Sequence, residues 1–478
     1  MHRRSFLKAV GGAAGACSFA GSVGALSALA GQQASAIEAN DYKALVCVFF
    51  KGGQDQYDTI IPYDADSYGQ FARYRRGILS RYAKLGGRAS RARHNLTPIH
   101  PVNQEDFTGR RFGFPRVMDK LTTLFTAGNA ALVANVGPLR DPHTNAQTFK
   151  AKTVPLPKKI FSHLDQQAAW MKSETDIHTS GWGGRFSDLV KSADINKDDV
   201  FNSISMAGDT MFLHGDMTSA YSVRPIGTPP VVKGFRGNKP FLLGTGKPTR
   251  RARELLKQHY QSLNKASENL FYQDMAGINE RTFANNDLFR IGYRESRPLN
   301  TPFPKSKLGQ RLQAIARIIS IHSALGCRRQ IFYVTLGRFD THDDQAEVMT
   351  ELQEDYADCF AAFYQATVEI GLQKNVTLFT ASDFGRALPE NGNGTDHGWG
   401  GHHFVVGGAV KGNRIYGEMP PVALGHAYDA GHGRLVPQIS VEQYAATMGR
   451  WFGLGDSELS GALPALKNFK TRNLGFMT

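Results

Sequence analysis

Cysteine is scarce in this sequence, with only four among 478 residues. Cys17 lies near the N-terminus, and the other three, Cys47, Cys327 and Cys359, are far apart along the chain. Their odd number and wide spacing indicate neither a disulfide framework nor a CxxC metal site. Cys47 falls inside an apolar segment, where we expect it to be an ordinary core residue.

Several motifs of well-known enzyme and binding classes are missing. Neither GxxxxGK[ST] nor a GxGxxG between a strand and a helix occurs, which disfavours a dinucleotide enzyme. The nucleophile elbow GxSxG is absent as well. The chain carries a formal net charge of +14, but no DNA- or RNA-binding motif accompanies these cations. We therefore expect no nucleic-acid partner.

Long apolar runs are absent beyond the N-terminus, so we expect no stable membrane span after processing. The chain begins with HRRSFLK at 2–8, followed by an uncharged stretch at 9–30 and the small triplet ASA at 34–36. Paired arginines ahead of such a stretch are typical of a twin-arginine signal peptide. We predict that residues 1–36 engage the twin-arginine export machinery and that the protein is periplasmic or otherwise exported.

Much of the excess positive charge lies in an arginine-rich segment at about 71–95. We interpret this segment as an exposed, partly helical insertion. A basic surface favours anionic partners, here an anionic small molecule or a glycan. Solubility alone explains the charge at least as well.

Strand-like and helix-like patterns alternate along the chain. This alternation predicts an α/β fold with a mostly parallel sheet that helices cover on both faces. The region at about 207–305 shows little periodicity, and we interpret it as a cap or insertion. Continuous apolar runs predict buried strands at 44–50, 130–136, 330–336, 376–380 and 404–406. Apolar residues at helical spacing predict helices at 117–125, 308–325, 348–363 and 440–453, the last with a capping box from Ser440 to Gln443.

Acidic and imidazole side chains lie beside four of the predicted strands. Sites in parallel sheets form beyond the carboxyl ends of the strands, and divalent metals bind carboxylates and imidazoles from several segments. Any one of these aspartates is more typical of a turn or a helix cap, but together they predict a metal site. The four clusters are GGQDQYD at 52–58, GRFDTHDD at 337–344, SDFGR at 382–386 and DHGWGGHH at 396–403.

Ser162, in the segment IFSHLDQQ, is the candidate nucleophile. A serine beside a metal can lose its proton and attack the phosphorus or sulfur of an ester. The same position also fits a helix cap with Asp165 in the first turn. Similarly, Arg386 and Arg338 either clamp the oxygens of a phosphate or sulfate or form ordinary salt bridges.

These segments, in this order, resemble an exported bacterial family known as domain of unknown function 1501. That family in turn resembles the alkaline phosphatase and sulfatase superfamily. The resemblance implies a single doubly wound α/β domain over residues 37–478, with a divalent metal (zinc, calcium or magnesium) at the strand ends. The pieces that carry it are FFKGGQDQYDTIIPYD, NVGPL, FSHLDQQAAW, SGWGGRFSD, GRFDTHDDQ, TASDFGRALPENGNGTDHGWGGHHFVVGG and EQYAATMGRWFGL.

The resemblance also implies a role for each candidate residue. The metal ligands would be Asp55, Asp340, His342, Asp383 and His397, with Ser162 as the nucleophile. Two features depart from the superfamily pattern: Phe384 stands where phosphatases have a histidine, and the spacing from Asp340 to His342 is short. They leave open a single metal or a loss of catalysis, with Asp58, Asp396 and His402 as substitute ligands.

Two functions are compatible with these observations. The first is an exported metal-dependent hydrolase of a phosphate or sulfate ester, in which Ser162 and Arg386 are catalytic. The alternative is a non-catalytic periplasmic protein with the same fold, which binds an acidic glycan, an envelope component or a partner.

Overall fold

The structure, a computed structural model, describes residues 41–173, 179–223 and 270–478, together with positions 255, 258 and 262. The predicted signal peptide at 1–36 lies outside these residues, as does most of 224–269 within the predicted insertion. Among the helices that the structure describes, none combines the length and the apolar character needed to cross a membrane.

The strands follow the predicted apolar runs and add several short pairings between them. In chain order the described strands are β1 (Lys43–Phe50), β2 (Ile61–Pro62), β3 (Leu96–Ile99), β4 (Phe112–Pro115), β5 (Ala130–Gly137), β6 (Ser203–Ser205), β7 (Tyr221–Ser222), β8 (Arg329–Leu336), β9 (Val376–Ser382), β10 (Arg386–Glu390), β11 (Thr395–His397), β12 (Gly401–Val406), β13 (Ile415–Tyr416) and β14 (Ile439–Ser440).

The predicted helices are also present. The last of the long helices begins at Ser440 with the predicted capping box to Gln443 and ends at Gly453, whose φ is 110°. The described α-helices are α1 (Ala65–Tyr74), α2 (Arg76–Leu85), α3 (Asp119–Thr126), α4 (Ala146–Ala151), α5 (His163–Lys172), α6 (Trp182–Ser192), α7 (Leu270–Glu295), α8 (Lys307–Ser320), α9 (Gln345–Glu369), α10 (Val441–Phe452) and α11 (Asp456–Ala462).

One large sheet organises the chain, in the strand order β13-β5-β12-β9-β1-β8-β6-β7, with β14 also paired to β5. Strand β1 lies between β8 and β9 and is parallel to both. Only β12, among the described strands of this sheet, runs antiparallel to its neighbours β5 and β9. The predicted α/β fold with a mostly parallel sheet is therefore confirmed, and the apolar run at 404–406 belongs to its antiparallel member.

Strand β1 shows that both faces of the sheet are buried. Ala44, Val46, Val48 and Phe50 pack into one core, together with apolar residues of α3, α8 and α9. Leu45, Cys47 and Phe49 point to the other core, which includes residues of α6 and α10. Each fully buried side chain of this kind stabilises the fold by roughly 1.5–3 kcal/mol. Cys47 is thus a core residue, as expected.

The arginine-rich segment at 71–95 is partly helical, as predicted, but it is not simply an exposed insertion. Arg75 and Arg91 are 1% and 0% exposed. Arg75 forms an ion pair with Asp55 at 2.5 Å, and Arg91 forms one with Asp58 at 3.1 Å. The two arginines are buried because each neutralises a carboxylate that follows β1. The segment therefore holds the loop that follows β1.

Candidate metal centre

The candidate site lies at the edge of the sheet where β1, β8 and β9 end. In their final registered pairs, Phe50 lies beside both Leu336 and Ser382, so the following segments leave the sheet together. Gly52, with φ of 117°, allows the chain after β1 to pass against the chain after β8. A Cβ at this glycine would lie 2.3 Å from the backbone nitrogen of Asp340, so the close approach requires the absence of a side chain.

Three histidines converge on Asp340. Its Oδ1 lies 3.1 Å from Nε2 of His342 and 3.2 Å from Nε2 of His397. Its Oδ2 lies 3.4 Å from Nε2 of His163. The Nε2 atoms of His342 and His397 are 2.8 Å apart. We call these four side chains, His163, Asp340, His342 and His397, the histidine group. They remain between 25% and 46% exposed, so a ligand can reach them.

The opposite nitrogen of two of these histidines has a hydrogen-bond acceptor. Nδ1 of His163 lies 2.7 Å from Oδ2 of Asp383, and Nδ1 of His397 lies 2.9 Å from the carbonyl oxygen of Phe161. Nδ1 of His342 lies 3.9 Å from the carboxylate of Asp396, which is too far for a hydrogen bond. An acceptor at Nδ1 holds the proton there and leaves the Nε2 lone pair available for a metal.

The chemistry of this donor set fits a divalent metal ion. Ligand atoms of His163, Asp340 and His397 all lie within 4.8 Å of one another. Imidazole and carboxylate donors in this proportion suit zinc and similar transition metals better than calcium or magnesium, which prefer oxygen ligands alone. Asp383 adds a further observation, because its Oδ1 is buried and has no hydrogen-bond partner among the described residues.

Protonation states in the site follow from burial and neighbouring charge. Burial favours a higher pKa for Asp340, but the hydrogen bond and charge of Arg386 outweigh it and hold that pKa below its ordinary value. For Asp383, burial raises the pKa in spite of the opposing hydrogen bond from His163. Burial lowers the pKa of His397, which favours its neutral form. The metal-binding form of the imidazole is therefore favoured at neutral pH.

Four of the five predicted metal ligands lie in this region. Asp340, His342 and His397 belong to the histidine group, and Asp383 contacts Nδ1 of His163. Asp55 does not join them. Its carboxylate is fully buried and receives hydrogen bonds from Arg75, the Tyr57 backbone and the Gln345 side chain. The guanidinium of Arg75 neutralises Asp55, so this aspartate belongs to a closed ion-pair network that holds the first loop.

The residues considered as substitute ligands lie in different surroundings. Asp58 is held by Arg91 and the hydroxyl group of Tyr82. His402 is buried, and its Nδ1 accepts a hydrogen bond from the backbone of Asn135. Of the three, only Asp396 contacts the group, through His342.

Arg386 has a positioning role rather than a place on the surface of the site. It is completely buried, and its Nη1 donates to Oδ1 of Asp340 at 3.1 Å and to the carbonyl oxygen of Gly52 at 2.9 Å. A clamp on substrate oxygens needs an accessible guanidinium, and this one is enclosed. Arg338 is exposed, but it forms an ion pair with Glu351 at 2.8 Å.

Ser162 occupies the position that the helix-cap interpretation assigned to it. It immediately precedes α5, and its Oγ lies 2.7 Å from Oδ2 of Asp165 in the first turn. Its two neighbours both contact the histidine group, Phe161 through its carbonyl oxygen and His163 through its ring. The serine therefore stands beside the group, while its hydroxyl group is engaged by Asp165.

Sequence reasoning missed His163. It follows the candidate nucleophile directly, and the segment FSHLD was interpreted only through its serine and aspartate. The signal was present, because His163 is the first residue of α5 and directly follows the cap position. Phe384 explains how His163 is placed: its ring centroid lies 4.7 Å from that of His163 and 4.6 Å from that of His397. The phenylalanine thus packs against both imidazoles.

Two solved structures show a weak likeness to this chain. A crystal structure of Ps i-CgsB in complex with k-i-k-neocarrahexaose is 11% identical, with a TM-score of 0.33 over 91% of this chain and 77% of that one. A structure designated BT33494S-sulf, from work on the metabolism of multiple glycosaminoglycans by Bacteroides thetaiotaomicron, is 10% identical, with a TM-score of 0.31 over 87% and 74%. Likenesses at this level carry no argument about activity.

Comparison with known sequences identifies the family of this protein. No curated protein matches this sequence. One family model, described as "Protein of unknown function (DUF1501)", matches residues 42–461. Because that match covers most of the chain, including every residue of the candidate metal centre, the protein belongs to the DUF1501 family.

Proposed function

We propose that this protein is an exported metal-dependent hydrolase of a phosphate or sulfate ester. The observation that carries the proposal is the convergence of three Nε2 atoms on the carboxylate of Asp340, with hydrogen-bond acceptors at Nδ1 of His163 and His397. A purely structural histidine cluster has no need for this common orientation. A metal site requires it, because the ligand nitrogens have to be unprotonated and directed at one point.

His163, Asp340 and His397 would hold the metal, with His342 as a neighbouring ligand or an acid–base group. We expect zinc or a metal of similar preference, since imidazole nitrogen dominates the donor set. A divalent metal bound there supplies positive charge that offsets the anionic ester and acidifies an attacking hydroxyl group or water.

The chain's own residues position the metal ligands and transfer protons. Arg386 fixes the carboxylate of Asp340 from the buried side, and Asp383 fixes the ring of His163. His342 is 42% exposed, and Nε2 of its ring is 2.8 Å from that of His397. An exposed imidazole in this position can deliver a proton to the departing alcohol oxygen. Ser162 remains our candidate nucleophile, with Asp165 as the acceptor of its proton.

Metal analysis and turnover together test this proposal. Protein purified after native export should contain a stoichiometric transition metal and hydrolyse 4-nitrophenyl phosphate or 4-nitrophenyl sulfate. His163→Ala and His397→Ala should each lose the metal and the turnover. The matched control is His94→Ala, because His94 is exposed and lies outside the group. Ser162→Ala should keep the metal and lose the turnover if the serine is the nucleophile.

The possible results separate the two functions. Metal-free wild-type protein that folds normally and hydrolyses neither ester contradicts the proposal and favours the non-catalytic binding protein. Full turnover by Ser162→Ala would instead assign the attack to water and leave the metal-dependent hydrolase in place.

Export is the second part of the proposal, and residues 1–36 support it through their sequence alone. Twin-arginine transport carries folded proteins. Joint replacement of Arg3 and Arg4 by lysine should therefore retain the full-length precursor in the cytoplasm. Cell fractionation detects this result, and a processed periplasmic product from the double variant would contradict the proposed route.

A further inference from the structure

A cavity of about 220 Å³ opens beside the candidate metal centre, between α5 and the loop that follows β6. Its wall includes Lys51, Leu164, Met171, Ala207, Met211 and Tyr333. Lys51 immediately precedes Gly52, whose backbone N–H donates to Oδ2 of Asp383 at 3.1 Å. Leu164 immediately follows His163. The cavity wall is therefore connected to the metal centre by two pairs of adjacent residues, Lys51–Gly52 and His163–Leu164.

The cavity has one cation that no described acidic side chain neutralises. Lys51 is exposed, and the structure gives its side chain no ion pair within the described residues. Its charge acts on Asp383, whose pKa it helps to lower against the larger effect of burial. The other charged residue of the wall is Asp209, an exposed carboxylate whose Oδ1 lies 3.0 Å from Nε2 of His214. An anion held between the metal centre and the cavity would meet the ammonium group of Lys51.

The rest of the wall is mixed, because polar Gln167 and Thr210 line it beside apolar residues, two of which are unusually accessible. Leu164 is 80% exposed and Met211 is 37% exposed, although neither contributes to the hydrophobic cores in this state. Two large apolar side chains at the mouth of one cavity are suited to contact an apolar ligand. The wall offers no exposed aromatic ring on which a sugar would stack, since the ring of Tyr333 is only 2% exposed.

Cavity size limits the occupant further. Pockets that hold drug-sized ligands enclose roughly 300–1,000 Å³, and this one is smaller at about 220 Å³. A single ring or a short branched chain fills this space, and a longer ligand would extend from its open side into solvent.

From these observations, and resting on the proposed hydrolase, we infer that the substrate is a phosphate or sulfate monoester of a small apolar alcohol. Lys51 binds the anionic group beside the metal centre, and the cavity lined by Leu164 and Met211 binds the alcohol portion. Lys51 is thus a substrate-binding residue, and Leu164 determines specificity.

Binding measurements test this inference without relying on turnover. Calorimetric titration of the metal-loaded protein would use phenyl phosphate and phenyl sulfate, the corresponding inorganic anions, and the 6-phosphate and 6-sulfate of glucose. We expect a phenyl ester to bind about ten-fold more tightly than its inorganic anion, and more tightly than the glucose ester. Lys51→Met should weaken the binding of the anion and the ester by about ten-fold, and Lys51→Arg should restore most of it.

Leu164→Asn should weaken phenyl ester binding alone and leave the inorganic anion unaffected. Lys374→Met and Leu85→Asn are the matched controls, since both residues are exposed and Lys374 precedes β9 at the opposite end of that strand. Metal content, measured on every variant, should stay at the wild-type level.

The inference is overturned if Lys51→Met binds as tightly as Lys374→Met, if glucose esters bind as tightly as phenyl esters, or if no phenyl ester binds at all. A metal-loaded protein that binds phenyl esters as described but hydrolyses none of them contradicts the hydrolase proposal and leaves the binding site standing. A protein that hydrolyses glucose esters in preference to phenyl esters contradicts this inference and leaves the hydrolase proposal standing.

Discussion

Nδ1 of His163 and Oδ2 of Asp383 lie 2.7 Å apart, although 220 residues separate them along the chain. The pair joins the start of α5 to the segment that follows β9. Asp383 is 5% exposed, so its carboxylate orients the imidazole from behind while Nε2 faces Asp340. Carboxylates in this arrangement fix the tautomer and raise the basicity of the ligand nitrogen.

Replacement of Asp383 by asparagine tests this relationship. The amide keeps the shape of the side chain but loses the charge that stabilises the Nδ1 proton. We expect metal affinity to fall by about 10–100-fold, the usual effect of removing such a partner. Competition with a chromogenic chelator measures this change. Unchanged affinity would show that Asp383 does not act on the metal through His163.

Gly53 tests the role of Phe384 as a support for the two imidazoles. A Cβ at Gly53 would lie 2.2 Å from the ring of Phe384, and φ at this glycine is 88°. We expect Gly53→Ala to displace the ring and lower metal affinity by about ten-fold, within the range for disturbed supporting contacts. Gly87→Ala is the control, because Gly87 also has a positive φ but has open space around its Cβ position. Equal effects of the two substitutions would assign the loss to backbone strain alone.

The buried ion pair between Arg75 and Asp55 should be important for stability. Arg75→Met leaves Asp55 without its opposite charge in a fully buried position. We expect the free energy of unfolding to fall by about 3–5 kcal/mol. Arg88→Met should change it by at most roughly 1 kcal/mol, since Arg88 and Glu354 are 50% and 48% exposed. Urea denaturation compares the two variants, and similar losses would contradict the role of burial.

Two buried histidines predict a loss of stability in acid. Burial lowers the pKa of His402 to about 4 and that of His403 to about 3, from an ordinary value of 6.5. Between these values and 6.5 the unfolded chain binds more protons than the folded one, so stability is present above pH 6.5 and is lost as the pH falls toward 4. Each histidine contributes on the order of 3 kcal/mol to this loss.

His403→Phe isolates one of these two contributions. The phenylalanine ring can keep the packing against Trp170, whose ring centroid lies 5.1 Å from that of His403. We expect the stability of this variant to depend less steeply on pH, by about one proton between pH 6.5 and 4. Denaturation at a series of pH values gives the slope, with exposed His100 replaced by phenylalanine as the control. An unchanged slope in His403→Phe would contradict this assignment.

Several local features of the fold could be predicted because their causes are local. The run QIFYVTL predicted the bounds of β8 to within one residue, and the pair Ser440 and Gln443 predicted the start of α10. The direction of β12 could not be predicted in this way. A continuous apolar run indicates that both faces of a strand are buried, and this is equally true of a parallel and an antiparallel strand inside a sheet.

The sequence by itself determined the alternation of strands and helices and the acidic and imidazole residues beside the strands. Periodicity, caps and turns depend on residues close together in the chain, so they can be read directly from it. Only the tertiary structure decided which of those polar residues meet. It buried Asp55 against Arg75, enclosed Arg386 behind Asp340, and brought His163 to the centre of the group. The physical reason is that charge pairing and ligand geometry depend on distances between remote segments, and these are fixed only when the strands take their order in the sheet.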